Sequence, residues 1–266
     1  MDTTIKDKAL QYAGDGFYVH SVPIFTAEQI ERGVRGMDAI RRGEYDTGTP
    51  PEASPWNPGD DPDKLCKIEM PQMADSAIRA LVSDTRLGEL AAHVTGASMV
   101  QVWWVQLLYK PSTTASLTAA TSVGWHRDRT YWGAWEQGSD LFTAWLALSD
   151  VDEASGPMRF VPGSHEWPNV SGGDFFAQDL DSQRQGFAAP EGKEWRERLA
   201  ILPSGGVSFH DDLTLHGSGP NRSGHPRRSL AIHMRTERSK PADHLRDGLT
   251  KHIADLDICP VIHGRL

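Results

Sequence analysis

The chain has 266 residues, with 27 Lys and Arg against 36 Asp and Glu, a net charge of −9 and 38% hydrophobic residues. Such a chain can bury a core as one domain spanning 1–266 and is not disordered; its acidic balance argues against nucleic-acid binding. It lacks both the roughly 18 consecutive apolar residues of a membrane span and an apolar signal-peptide core, and Cys66 and Cys259 cannot build a disulfide framework, so a soluble cytoplasmic protein is expected.

The N-terminal residues read as a short helix, a turn at Gly14-Asp15-Gly16 and a short strand at 17–20. Thr26-Ala27-Glu28-Gln29 resembles a capping box and opens a helix through about Arg42, with Ile30, Val34, Met37 and Ile40 at helical spacing. Residues 46–64 carry Pro50, Pro51, Pro55, Pro58 and Pro62 beside Trp56, and read as a long loop of the kind used as a lid. Helical pattern returns over about 73–94, broken near Ser83-Asp84. From about 98 the pattern turns strand-like: Val100 to Tyr109, stopped by Pro111, then a Thr/Ser/Ala-rich loop over 112–122. Further strands are expected at 141–149, 158–161, 206–210 and 229–236, the last with Leu230, Ile232 and Met234 on one face and Ala231, His233 and Arg235 on the other. The pattern describes a helical support of about 1–97, a β-roll core of about 98–238 and a C-terminal tail of 239–266.

Two features stand out against this background. Trp103, Trp104, Trp125, Trp132, Trp135 and Trp145 are six of the nine tryptophans, crowded into one stretch. Within it lies His126-Arg127-Asp128, whose imidazole and carboxylate point the same way in an extended segment. A third ligand from the polar cluster at 209–221, which contains His216, would complete two histidines and a carboxylate on one face of an octahedral metal. A zinc hydrolase would more often close three positions and leave one. H-x-D is a short pattern, and the chain contains a second one, His210-Asp211-Asp212.

The wider set of motifs resembles the phytanoyl-CoA dioxygenase-like family of Fe(II)/2-oxoglutarate oxygenases. The resemblance rests on Lys67-Ile68-Glu69, Gln106 with Tyr109-Lys110-Pro111, His126-x-Asp128 and Thr143-Ala144-Trp145. It continues through Gly156-Pro157 with Val161-Pro162-Gly163-Ser164-His165, then His216-Gly217-Ser218-Gly219-Pro220-Asn221 and Arg227, all in the family's order. It implies a mostly β fold with flanking helices around a double-stranded β-helix, the jelly-roll or cupin-like core. It implies Fe(II), 2-oxoglutarate and O2, with His126, Asp128 and His216 as metal ligands and Arg227 as anchor of the cosubstrate's far carboxylate. A guanidinium fork suits that task; Arg228 is its neighbour and faces the other way on a strand. Further cosubstrate contacts would fall on Gln106, Trp145, Ser218 and Lys67.

The intact Asp128 argues against halogenation, where a small residue replaces the carboxylate. Hydroxylation of an unactivated C–H bond of a small aromatic or terpenoid metabolite, releasing succinate and CO2, is the expected activity. Desaturation, cyclisation, epimerisation and peroxide formation stand as alternatives, as does a cupin-like metal-binding protein without oxygenase activity. Substrate contacts are expected from Trp103, Trp104, Arg127, Tyr131 and Trp132, which flank the metal motif. His210 reads as a residue beside the site or in a loop, and His233 as an ordinary core histidine.

Overall fold

The computed structural model describes residues 5–112, 121–168, 170, 173–242 and 248–266. Residues 1–4 and most of the expected loop, 113–120, lie outside the described residues.

The N-terminal part is helical. Helix α1 (Ile5–Asp15) leads into β1 (Phe17–His20). Helix α2 (Ala27–Arg41) starts at a true capping box: the Thr26 hydroxyl accepts from Gln29 N, and the Gln29 side chain accepts from Thr26 N. The pattern expected over 73–94 divides into α3 (Ser76–Val82) and α4 (Thr85–Thr95), because Asp75 and Asp84 each cap a new helix with a carboxylate. At Gly36 of α2, an added Cβ would stand 2.2 Å from the Asp75 carboxylate oxygen, so glycine permits the close crossing of α2 over the start of α3.

The remaining strands form two antiparallel sheets. They are β2 (Cys66–Glu69), β3 (Val100–Lys110), β4 (Val123–His126), β5 (Leu141–Ala147), β6 (Met158–Phe160), β7 (Arg198–Leu199), β8 (Val207–Asp211), β9 (His216–Ser218), β10 (Arg227–Thr236) and β11 (Val261–His263). The short helix α5 (Leu180–Arg184) lies between β6 and β7. The larger sheet runs β1-β8-β5-β10-β3-β11 with β2 also on β3; the smaller runs β4-β9-β6-β7. Phe17, Leu108, Trp145, Met158, Phe160 and Ala231 pack together from both sheets, which makes the interior of a jelly roll. The tail returns to the larger sheet through β11, which pairs with β3.

The other face of the larger sheet carries the helices. Val102, Val105, Leu107, Phe142, Leu146, Leu230 and Ile232 pack there against Ile30, Met37, Ile40, Ile78 and Leu81. The alternation slips once in β3. Residues His233 and Met234 pair with Trp104 and Val102, so Trp103 is the extra residue of a β-bulge. Both faces of β3 are covered, so Trp103 and Trp104 are both buried, and they join one cluster with Trp132 and Trp135. No helix among the described residues is long and apolar enough to cross a membrane.

Candidate functional site

His126 ends β4 and His216 begins β9, and the two are direct cross-strand partners with ring centroids 4.1 Å apart. Arg127 is extended (φ −110°, ψ 134°), so Asp128, opening the following turn, projects to the same side as His126. The Ser164 hydroxyl accepts from Leu215 N at 2.8 Å and fixes the chain just before His216. Among the described residues, His126, Asp128 and His216 are the group whose ligand atoms converge, all within 4.8 Å of one another.

The hydrogen bonds orient these rings for a metal. His126 Nδ1 lies 2.8 Å from Gly124 O, and His216 Nδ1 lies 2.9 Å from Thr214 O. Each Nδ1–H donates to its carbonyl, so each Nε2 presents a lone pair. Those Nε2 atoms stand 3.6 and 3.7 Å from Asp128 Oδ1, too far to hydrogen-bond and suited to sharing a cation. Burial, then the neighbouring His126 and His210, hold the His216 imidazole well below its usual pKa, which keeps it neutral. Burial works against charge on Asp128, but His216, His126 and His210 together hold its carboxyl well below the usual range.

The second oxygen of Asp128 is held by the protein. Thr143 Oγ1 donates to Asp128 Oδ2 at 2.8 Å, and His210 Nε2 lies 3.2 Å from it. With its proton committed, Thr143 Oγ1 accepts from His233 Nδ1 at 2.8 Å. Burial lowers the His233 pKa to about 4, so this ring is neutral. The rival motif separates: His210 reaches Asp128, while Asp212 turns to Arg129 at 3.7 Å and lies outside the converging group.

Beneath the three ligands an inner pocket penetrates between the sheets. Gln106, Trp145, Ser218 and Arg227 line it together with His126, Asp128 and His216. Arg227 is 1% exposed. Its Nη1 donates to Gly156 O at 2.5 Å, its plane lies 5.0 Å from the Trp145 ring, and its Nε has no partner. Burial lowers its pKa to about 9, which leaves it cationic at neutral pH. Arg228 faces outward to Asp38 on α2 at 3.2 Å and lines neither cavity. Lys110 is also buried; burial, then Arg227 and Arg159, push its ammonium well below the usual lysine value. An unpartnered guanidinium nitrogen and the unpartnered indole N–H of Trp145 fit a polar, anionic cosubstrate.

Above the ligands an outer chamber of about 330 Å³ is lined by Lys67, Glu69, Trp104, Gln106, Tyr131, Trp132, Phe175, Phe176, His233 and Leu249. Phe175 enters because its segment runs across β4: Gly124 N donates to Phe175 O at 3.0 Å, and a Cβ on Gly124 would stand 2.1 Å from Asp174 O. Lys67 pairs with Glu69 at 3.0 Å, and Glu69 accepts from the Trp104 indole at 2.6 Å. Trp103 and Arg127 line neither cavity. Trp103 packs edge-on against Trp132 (4.8 Å) and Trp135 (5.3 Å). Arg127 donates to the carbonyls of Ser164 and Trp167. Trp56 of the 46–64 loop is buried against the helix-side core, and that loop borders a third cavity sharing Lys67 and Phe176 with the outer chamber. Thr143, His233, Phe175, Glu69 and Lys110 are participants that the sequence does not single out for a role, although Thr143, Glu69 and Lys110 stand inside motifs quoted above.

Two histidines and a carboxylate that converge between a pocket lined by a buried arginine and a larger aromatic chamber match the facial-triad ligand set of non-haem iron oxygenases. Residues 14–229 match the family described as phytanoyl-CoA dioxygenase (PhyH), and the chain belongs to that family. A probable alpha-ketoglutarate-dependent hypophosphite dioxygenase of Stutzerimonas stutzeri is 27% identical over 226 residues, 82% of this chain and 74% of that protein. The ectoine dioxygenase of Bordetella parapertussis is 28% identical over 252 residues, 86% of this chain and 74% of its own length. In fold, the chain is similar to the epimerase SnoN in complex with Fe3+, alpha ketoglutarate and nogalamycin RO, with a TM-score of 0.71, 22% identity, and 92% and 88% of the two chains covered. The carbocyclase SnoK from nogalamycin biosynthesis also has a TM-score of 0.71, at 19% identity, with 96% and 95% covered. The chain is a member of the phytanoyl-CoA dioxygenase family with a double-stranded β-helix fold and a converging His-Asp-His group that could hold a metal ion.

Proposed function

We propose that the enzyme hydroxylates a C–H bond of a small metabolite with a flat or bulky apolar body, aromatic or terpenoid, releasing succinate and CO2. The outer chamber carries this reading. Trp104, Tyr131, Trp132, Phe175 and Phe176 wall a space of about 330 Å³ directly over His126 and Asp128, within the range of about 300–1,000 Å³ used for small molecules. An inorganic anion such as hypophosphite would leave most of that space unfilled, and Lys67 is already paired with Glu69.

The residues divide the work by position. His126, Asp128 and His216 hold the iron. Arg227, with Ser218, Gln106 and Trp145, holds 2-oxoglutarate in the inner pocket, whereas Lys67, expected from the sequence to join them, faces the outer chamber and is paired with Glu69. When bound, iron and 2-oxoglutarate supply the O2-derived oxidant, and the protein's task is to place one C–H bond and exclude others. Trp104, Tyr131 and Trp132 hold the substrate face-on, and Trp103 supports Trp132 from behind. Asp128 keeps a carboxylate on the metal, which favours oxygen transfer over halide transfer.

Succinate release from 2-oxoglutarate, screened against aromatic and terpenoid compounds with Asp128→Ala as the blank, tests the proposal. The expected outcome is substrate-dependent succinate and a product heavier by one oxygen atom. A product that has lost two hydrogens, or has isomerised, would overturn hydroxylation. Turnover confined to hypophosphite would overturn the substrate class.

A further inference from the structure

Lys110 ends β3 and stands directly opposite Arg227, the first residue of β10. Cross-strand partners share a face of the sheet, where like charges repel. The two side chains are 0% and 1% exposed, and neither forms an ion pair among the described residues. Two cations in a dry interior without a carboxylate are costly, and the arrangement is favourable once an anion completes it.

The Lys110 ammonium is also bonded in a way that bears on the pocket. Its Nζ donates to Ser218 Oγ at 2.7 Å and to Gly219 O at 2.6 Å. Asn221 Nδ2 donates to Lys110 O at 3.1 Å and fixes the end of the strand. A serine oxygen that accepts from an ammonium keeps its own proton to donate. Ser218 lines the inner pocket beside Arg227, so that proton is available there.

We infer that Lys110 is a positioning residue for the distal carboxylate of 2-oxoglutarate. It supplies a second positive charge beside Arg227, and it commits Ser218 Oγ as an acceptor so that the Ser218 hydroxyl donates to the carboxylate. The inference rests on the inner pocket being the cosubstrate site, and deepens that reading by adding a residue that the pocket surface itself does not show.

The test is calorimetric titration of the Mn(II)-loaded chain with 2-oxoglutarate and with 2-oxopentanoate, which lacks the distal carboxylate. Lys110→Met should weaken 2-oxoglutarate by about tenfold or more, leave 2-oxopentanoate within about twofold, and so collapse the preference between them. The rise in Tm on adding 2-oxoglutarate should shrink in parallel. A merely structural role would weaken both ligands alike, and an unchanged preference ratio would overturn the inference. Lys110→Gln keeps a donor toward Ser218 without the charge; it should show the same direction and serves if the methionine variant does not fold. Arg227→Met separates the two readings. If it loses the preference while both Lys110 variants keep it, the Lys110 inference fails alone; if it keeps the preference, the pocket reading fails and takes the inference with it.

Discussion

Asp128 turns one oxygen toward the two candidate ligand histidines and the other toward the protein. Oδ1 faces the gap between His126 and His216, while Oδ2 receives Thr143 and approaches His210. The threonine therefore fixes the rotation of the carboxylate. Thr143→Val keeps the shape and removes the donor, and it should weaken metal affinity by about 10–100-fold. Competition with a chelator of known strength reads this; an affinity equal to the parent would show that Thr143 does not orient the carboxylate. The residue pattern His126-x-Asp128 is legible in the sequence because both groups belong to one extended stretch. Thr143, His210 and His233 come from β5, β8 and β10, and nothing in their local sequence says that these strands are neighbours. His233 reads as a core histidine for that reason, yet it closes a hydrogen-bonded chain to the metal carboxylate.

At the scale of the element, β10 shows how one strand serves two purposes. Arg227, Ala231 and His233 face the roll interior, and Leu230, Ile232 and Met234 face the helices. Leu230→Ala should lower stability by about 2–5 kcal/mol, because a fully buried leucine leaves a cavity. The denaturant midpoint measures this, and the affinity for 2-oxoglutarate should stay unchanged because the side chain points away from the pocket. A parallel loss of cosubstrate binding would mean that the helix face and the roll face are not independent. The alternation of β10 is visible in its sequence, as are the cap at Thr26 and the break near Ser83-Asp84. The short strands β2, β9 and β11 are not, since three or four residues carry no readable period. The Trp103 bulge is hidden for a related reason: it breaks the period within β3, and only the partner strand reveals which residue is extra.

At the scale of the whole molecule, distant segments meet around the outer chamber. Glu52 of the 46–64 loop bridges Lys251 at 2.7 Å and His252 at 2.6 Å, next to Leu249 on the chamber wall. Its backbone N also donates to Glu69 O at 3.1 Å, on the strand that carries Lys67. The Lys251 hydrogen bond, opposed by partial burial and aided by His252, lowers the Glu52 pKa. A depressed carboxyl pKa adds stability above the unfolded value and loses it as pH falls through the folded value. Glu52→Gln should therefore lower Tm at neutral pH, by no more than about 1 kcal/mol of stability for a partly exposed pair. The difference from the parent should start to shrink as pH falls past the ordinary glutamate value of about 4.3 and vanish below the lowered folded value, and a difference that persisted in stronger acid would show that the clasp is not electrostatic.

By itself the sequence determined the family and pointed to the candidate site residues. The candidate metal ligands, the buried Arg227 and the glycine-proline punctuation lie in short ordered motifs, and local chemistry is what adjacent residues encode. It also determined that tryptophan would be abundant near the metal motif. Only the tertiary structure decided what each tryptophan does. Trp104 and Trp132 reach the outer chamber and Trp145 the inner pocket, whereas Trp103 and Trp135 buttress from behind and Trp125 packs under α5 with Trp167 and Trp195. The same holds for Lys110 against Arg227 and for Arg127, which turns from the cavity to backbone carbonyls. A side chain's face is set by register, bulges and the strand opposite, and those are properties of pairing between segments far apart in the chain.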